Sequence, residues 1–138
     1  MSRPSEDDRL VDALGHAAFL TMGSLTDLAA DAGLSLTQLR VLAILRDRRL
    51  RIGDLAAYLG LERSTMTGLV ARASAKGLLA RVANEQDARA VDVVLTDEGR
   101  AVATRLEAAM RAAMLPHAER LPQADRRRLR ELLERMLR

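Results

Sequence analysis

Apolar residues recur at three- and four-residue steps along most of the chain, and the one place where the step changes organises the rest. From about Asp7 to Ala32, Leu10, Val11, Leu14, Ala18, Leu25 and Leu28 fall on one face of a long predicted helix. Gly33 supplies its stop. In "SLTQLRVLAILRD", Ser35 can cap a second helix while Gln38, three residues on, reaches back to it, a capping-box pattern. Leu39, Leu42, Ala43 and Leu45 make that helix apolar enough to be central to a core. Two short helical patterns then follow closely, "IGDLAAYLG" closing at Gly60 and "ERSTMTGLVARASAKG" closing at Gly77. The connection allows only a tight turn, so the pair is a helix-turn-helix candidate. Leu55, Ala56 and Leu59 pack on Met66, Leu69 and Val70, which leaves Arg63, Ser64, Thr65, Thr67 and Arg72 mostly on other faces.

The period then drops to two. "LLARVA" and "AVDVVLT" flank "NEQDAR" at 84–89, which predicts one short hairpin with Arg89 at its tip. A hairpin of this size is not stable alone, so it must lean on its neighbours or reach for something. Thr96 caps the next helix, with Asp97 and Glu98 well placed against its dipole. Val102, Leu106, Ala109, Met110 and Ala113 give that helix a stripe, and Pro116 is expected to break it. A last helix begins near Pro122, a good first-turn residue. Leu129, Leu132, Leu133 and Met136 lie on one of its faces; Arg126, Arg127, Arg128, Arg130, Glu131, Glu134 and Arg135 lie on the other.

Helix, tight turn, helix and hairpin is the winged helix-turn-helix order, so the expected fold is mainly α with a small β-wing. Residues 1–138 are expected to form one domain, with the winged core at 36–99 and helical dimerisation segments at 1–34 and 100–138. The terminal helices exceed what a winged core of about 65 residues requires. Long amphipathic helices at both ends commonly meet across a two-fold axis, which would set two recognition helices about one DNA turn apart on a palindrome. Thickening a monomer's core is the other use for them. In the wing, an arginine can enter a narrow minor groove, and Asp87 can hold the Arg89 guanidinium extended by a charge-assisted bond.

Composition narrows the chemistry. Cysteine is absent, which excludes disulfides, thiolate zinc sites and cysteine redox sensing. The net charge is +3 and the pI near 10.4, carried almost wholly by arginine, since Lys76 is the only lysine. A polyanion partner and a plain compositional preference for arginine both fit that balance. Phe19 and Tyr58 are the only aromatics, too few for a single-strand binder that stacks bases, so a nucleic-acid partner would be duplex. Charges interrupt every apolar run before membrane-spanning length, and "MSRPSEDDR" lacks a signal peptide's basic and apolar regions, so a cytoplasmic location is expected. No catalytic constellation or phosphate-cradling loop appears, so neither enzymatic activity nor a cofactor is expected. His16 and His117 lie a hundred residues apart, read as two ordinary histidines or as members of a metal sensor with carboxylates.

The chain resembles the MarR-type transcriptional regulators over nearly its whole length. The likeness rests on "LSLTQLRVLAIL", on "IGDLAAYLGLERSTMTGLVARASAKGLLAR" and, most specifically, on "DARAVDVVLTDEGR". By that resemblance Asp87 and Arg89 take the wing-tip roles, and Leu95, Thr96, Gly99 and Arg100 mark the wing's exit. Ser64, Thr65 and Thr67 match positions that face the major groove. The resemblance implies a homodimer that binds double-stranded DNA at a palindromic operator. It also implies release by a small, often anionic aromatic effector, held by His16, Phe19, Leu20, Met22 and Leu42 with Met110 or Met114 opposite. Four positions depart from the pattern: Glu62 replaces the usual serine or aspartate cap, Gly68 a larger polar residue, Ala73 a leucine and Ala88 a second basic residue. These bear on DNA affinity more than on fold. A protein-interaction module that keeps the dimer scaffold without operator binding is the alternative.

Overall fold

A computed structural model describes residues 3–138; the first two residues of the expected 1–34 segment lie outside the described residues. In chain order they form α1 (Glu6–Asp31), α2 (Leu36–Leu45), β1 (Leu50–Arg51), α3 (Ile52–Leu59), α4 (Arg63–Ala75), β2 (Leu79–Ala83), β3 (Val91–Leu95), α5 (Asp97–Ala118) and α6 (Gln123–Met136). The mainly helical fold with a small β-wing is the one the hydrophobic pattern predicts.

Local chemistry sets most of the boundaries. Ser35 accepts from the Gln38 backbone N–H at 3.1 Å, and the Ser35 N–H donates to Gln38 Oε1 at 3.0 Å, so the capping box at α2 is complete. Between α3 and α4 the turn is Gly60, Leu61 and Glu62. Gly60 sits in the left-handed region at φ 65°, where a side chain would be strained, and the Leu61 N–H closes the turn on the Ala56 carbonyl at 2.9 Å.

The sheet is antiparallel in the order β1-β3-β2, with Leu79 opposite Leu95, Ala83 opposite Val91, and Leu50 opposite Val93. The third strand, β1, was not expected, because two residues carry no period of their own. It braces the hairpin edge against the start of α3, which answers what the hairpin leans on.

The described residues divide into two compact units. The unit Leu25–Glu107 contains the whole buried core, from Ala29 to Ala103. Leu42, Leu45, Leu55, Met66, Val41, Val70 and Val93 are its largest fully buried side chains. Burying each contributes about 1.5–3 kcal/mol before the entropy of ordering is subtracted. The apolar stripe of α1 is divided: Leu25, Leu28 and Ala29 join this core, whereas Leu10 and Val11 are exposed.

The other unit comprises the described residues up to Ser24 together with Ala108–Arg138. Phe19, Leu20 and Met22 of α1 are exposed here, and α6 buries none of its residues. Pro116 does not break α5, which runs on to Ala118. The ladder resumes beyond it, with the Glu119 N–H donating to the Leu115 carbonyl at 2.9 Å. Proline removes one donor in the last turn, where the helix has little left to lose. Pro122 stands at the N-cap of α6, one position before the first turn. Among the described residues no single helix is long and apolar enough to cross a membrane.

Candidate nucleic-acid interface

The helix-turn-helix pair turns one face of α4 inward. Met66, Leu69, Val70 and Ala73 are buried, and their spacing leaves Arg63, Ser64, Thr65, Thr67 and Arg72 exposed together. Thr67 donates its hydroxyl to the Arg63 carbonyl at 2.9 Å, which leaves its oxygen to accept. Glu62 is the N-cap and makes no side-chain capping bond, so the first turn's N–H groups stay open to solvent or a phosphate. Gly68 has the Arg72 guanidinium close by: a Cβ there would lie 3.4 Å from its Nη1. Ala73, which stands where the resembled family usually packs a leucine, is wholly buried.

The wing loop spans 84–90, closed by the Asn84 N–H donating to the Ala90 carbonyl at 3.0 Å. Asn84 Oδ1 accepts from the Gln86 N–H at 2.9 Å and the Asp87 N–H at 3.0 Å. Asp87 then accepts from the backbone N–H of Arg89 at 3.1 Å. This corrects the expected contact: Asp87 holds the Arg89 backbone, and among the described residues no ion pair involves the Arg89 guanidinium. An aspartate two residues before an amide reaches it as an Asx turn, a shorter path than to the end of an arginine side chain. Asp87 and Arg89 are both exposed, as are the five residues of α4.

Strand β3 departs from simple alternation, because Val91 is 46% exposed whereas Asp92 is 3% exposed. Asp92 is buried because it is paired. Its Oδ1 accepts from Asn84 Nδ2 at 2.9 Å, and its Oδ2 from Arg49 Nε at 2.8 Å. The Asn84 amide holds the Asp92 carboxyl below the usual carboxylate range, aided by Arg49 and Arg51 and opposed by burial. A lowered folded pKa means the pairing stabilises above the ordinary aspartate range and gives way as pH falls below it. Arg49, Asn84 and Asp92 were missed in the sequence. An acid inside the strand "VDVVL" was the available signal.

The wing's exit is tied down by Thr96. Its hydroxyl donates to the Gly77 carbonyl at 2.6 Å and accepts from the Gly99 N–H at 3.0 Å, while its own N–H reaches the Leu78 carbonyl at 3.1 Å. The only lysine, Lys76, donates to the Gly33 carbonyl at 2.6 Å, so arginines carry the charge open to a polyanion.

The residues expected around an effector are spread over both units. His16, Phe19, Leu20 and Met22 are exposed, Met110 and Met114 are half-buried, and Leu42 is sealed in the core of the other unit. Among the described residues no three metal-ligating side chains come together.

A family model described as the MarR family matches residues 32–90, from the end of α1 through the wing loop. No curated protein matches the sequence. Solved structures do resemble it. CouR from Rhodococcus jostii RHA1, bound to p-coumaroyl-CoA, is 23% identical with a TM-score of 0.81, covering 97% of this chain and 95% of that one. NadR in complex with 4-hydroxyphenylacetate is 23% identical with a TM-score of 0.78, covering 99% and 97%. A MarR-family transcriptional regulator from Rhodococcus sp. RHA1 is 22% identical with a TM-score of 0.78, covering 97% and 96%. At these identities the structures speak for the fold, and the match over 32–90 is a likeness of that segment to the family. With its helix-turn-helix and wing, the chain has the winged helix-turn-helix fold of these structures, and its segment 32–90 is similar to the MarR family.

Proposed function

We propose that the protein is a dimeric, sequence-specific transcriptional regulator that binds double-stranded DNA at a palindromic operator, represses there, and is released by a small aromatic or anionic effector. The observation that carries this is the set of exposed residues on α4, Arg63, Ser64, Thr65, Thr67 and Arg72, followed in the chain by a wing ending in Arg89. A helix about 10–12 Å across fits a major groove about 12 Å wide, where such side chains read base edges and phosphates. Arg89 enters the neighbouring minor groove, with Asp87 fixing the turn beneath it. Residues 36–99 read DNA, and 1–34 with 100–138 join two copies through the apolar surface left exposed on α1 and α6.

The effector reading is supported by two similar structures, one with p-coumaroyl-CoA and one with 4-hydroxyphenylacetate. Both ligands pair an aromatic ring with negative charge. Here the exposed His16, Phe19, Leu20 and Met22 and the half-buried Met110 and Met114, without the sealed Leu42, would receive one, and ligand would favour a spacing of the recognition helices that no longer fits the operator. The protein works in the cytoplasm and catalyses no reaction.

Fluorescence anisotropy with the protein's own upstream DNA, against scrambled DNA over a salt series, tests the reading. Preference for the upstream fragment is expected, with affinity falling by about 10³–10⁵ between roughly 50 and 200 mM salt, the response of about 6–10 neutralised phosphates. Sequence-blind binding, or affinity indifferent to salt, would instead favour the protein-interaction module. Arg89→Ala is expected to weaken operator binding by roughly 1–3 kcal/mol and leave the dimer intact. Mutant and parent of equal affinity would remove the wing from the mechanism.

A further inference from the structure

We propose that Arg49, outside both the recognition helix and the wing, is a positioning residue for DNA binding that holds the wing so that Arg89 is presented in one place. This rests on the DNA-binding reading above. Its basis is a continuous run of hydrogen bonds. One guanidinium grips both arms of the hairpin: Nε donates to Asp92 Oδ2 on β3 at 2.8 Å, Nη2 to the Ala83 carbonyl at the end of β2 at 2.9 Å, and Nη1 to Glu85 Oε1 in the loop at 3.1 Å. From Asp92 the run passes through Asn84 Nδ2 at 2.9 Å, then from Asn84 Oδ1 to the Gln86 and Asp87 amides, and from Asp87 to the Arg89 amide at 3.1 Å.

Each link has a geometric reason. The Asp92 side chain is 5% exposed, so its charge must be paired from within the protein. The planar guanidinium presents several donors in a fixed fork, which lets it bridge three acceptors at once. A loop spanning 84–90 would otherwise sample many conformations, since β1 supports β3 over two residues only. Removing Arg49 leaves Asp92 buried beside Asn84 alone and takes away the tie between β3, the end of β2 and the loop, while the β2–β3 ladder stays. If the wing then holds its binding geometry a tenth of the time, operator affinity falls roughly tenfold. Lysine, with one compact ammonium, cannot span the three acceptors and should restore little.

The experiment combines two readouts on the full-length protein. In the first, operator affinity is measured for Arg49→Gln, Arg49→Lys and Asn84→Ala, each in the parent and in an Arg89→Ala background. A roughly tenfold loss is expected in the parent, shrinking to less than about twofold once Arg89 is gone, because nothing remains to be presented. Equal losses in both backgrounds would overturn the proposal and make Arg49 a direct DNA contact. In the second, hydrogen exchange is followed without DNA. The Gln86, Asp87 and Arg89 amides should exchange faster in all three variants, while the amides of α2 and α4 stay as protected as in the parent. Unchanged exchange in the wing would overturn the proposal. Because it needs no DNA, this arm decides whether Arg49 orders the wing even if the parent shows no operator preference.

Discussion

A chain ending at Leu121 is expected to be monomeric at micromolar concentrations where the full chain is expected to be a dimer, with its winged core still folded. The truncation removes α6 and nothing that is buried, since α6 contributes no buried residue. It does remove a set of large apolar side chains, with Leu129 at 44% exposed, Leu132 at 43%, Met136 at 55% and Leu137 at 78%. A 14-residue helix is marginal in water by itself, and its ion pairs, Arg130 with Glu134 at 2.8 Å and Arg128 with Glu131 at 3.8 Å, are exposed. Such pairs stabilise a helix by about 0.3–0.5 kcal/mol each, too little to explain why it forms. Burying what these side chains still expose is worth roughly 1 kcal/mol each, which summed over both copies is enough to offset the lower part of the ~4–15 kcal/mol cost of association. Every member of the buried cluster lies between Ala29 and Ala103, so helicity and unfolding of the core should survive the cut. Operator affinity should collapse, because two half-sites would no longer be bound as one event. Sedimentation velocity on both lengths checks this, and a truncated chain that still sediments as a dimer would move the interface to α1.

What was legible in the sequence was local. Ser35 and Gln38 are three residues apart, and Gly60 and Gly77 end helices by their own conformational freedom, so each could be read where it stands. The buried and exposed sides of α4 follow from helical period alone. What was hidden depends on residues distant in the chain. The burial of Asp92 was not legible in the strand because its partner, Arg49, lies 43 residues earlier. Strand β1 exists only through its pairing with β3. The Asp87–Arg89 spacing correctly located the turn, but spacing does not distinguish a bond to the guanidinium from one to the backbone. Pro116 was read by the rule for helix interiors, and its place in the last turn suspends that rule.

Gly99→Ala should destabilise the protein by about 3 kcal/mol, the upper part of the range for overpacked sites, and lower the melting temperature by roughly 10 °C. Helix propensity alone predicts the opposite, because alanine is favoured over glycine by about 1 kcal/mol within a helix. The neighbour decides the sign. A Cβ on Gly99 would meet the Leu78 carbonyl oxygen and lie 2.9 Å from its carbon. That atom belongs to backbone and cannot swing aside as a side chain can. The same carbonyl accepts from the Thr96 N–H at 3.1 Å, and Thr96 in turn bonds Gly77 at 2.6 Å and Gly99 at 3.0 Å. Separating Gly99 from Leu78 therefore strains the two hydrogen bonds from Thr96, each worth about 1 kcal/mol, that join the start of α5 to the turn leading into β2. Gly68→Ala is the control: its nearest atom is the tip of the flexible Arg72 side chain at 3.4 Å, so propensity should win by up to about 1 kcal/mol. Melting curves of the two variants beside the parent should move in opposite directions. A stabilised Gly99→Ala would mean that α5 does not approach Leu78 this closely, and that the glycine at the wing's exit is not held there by packing.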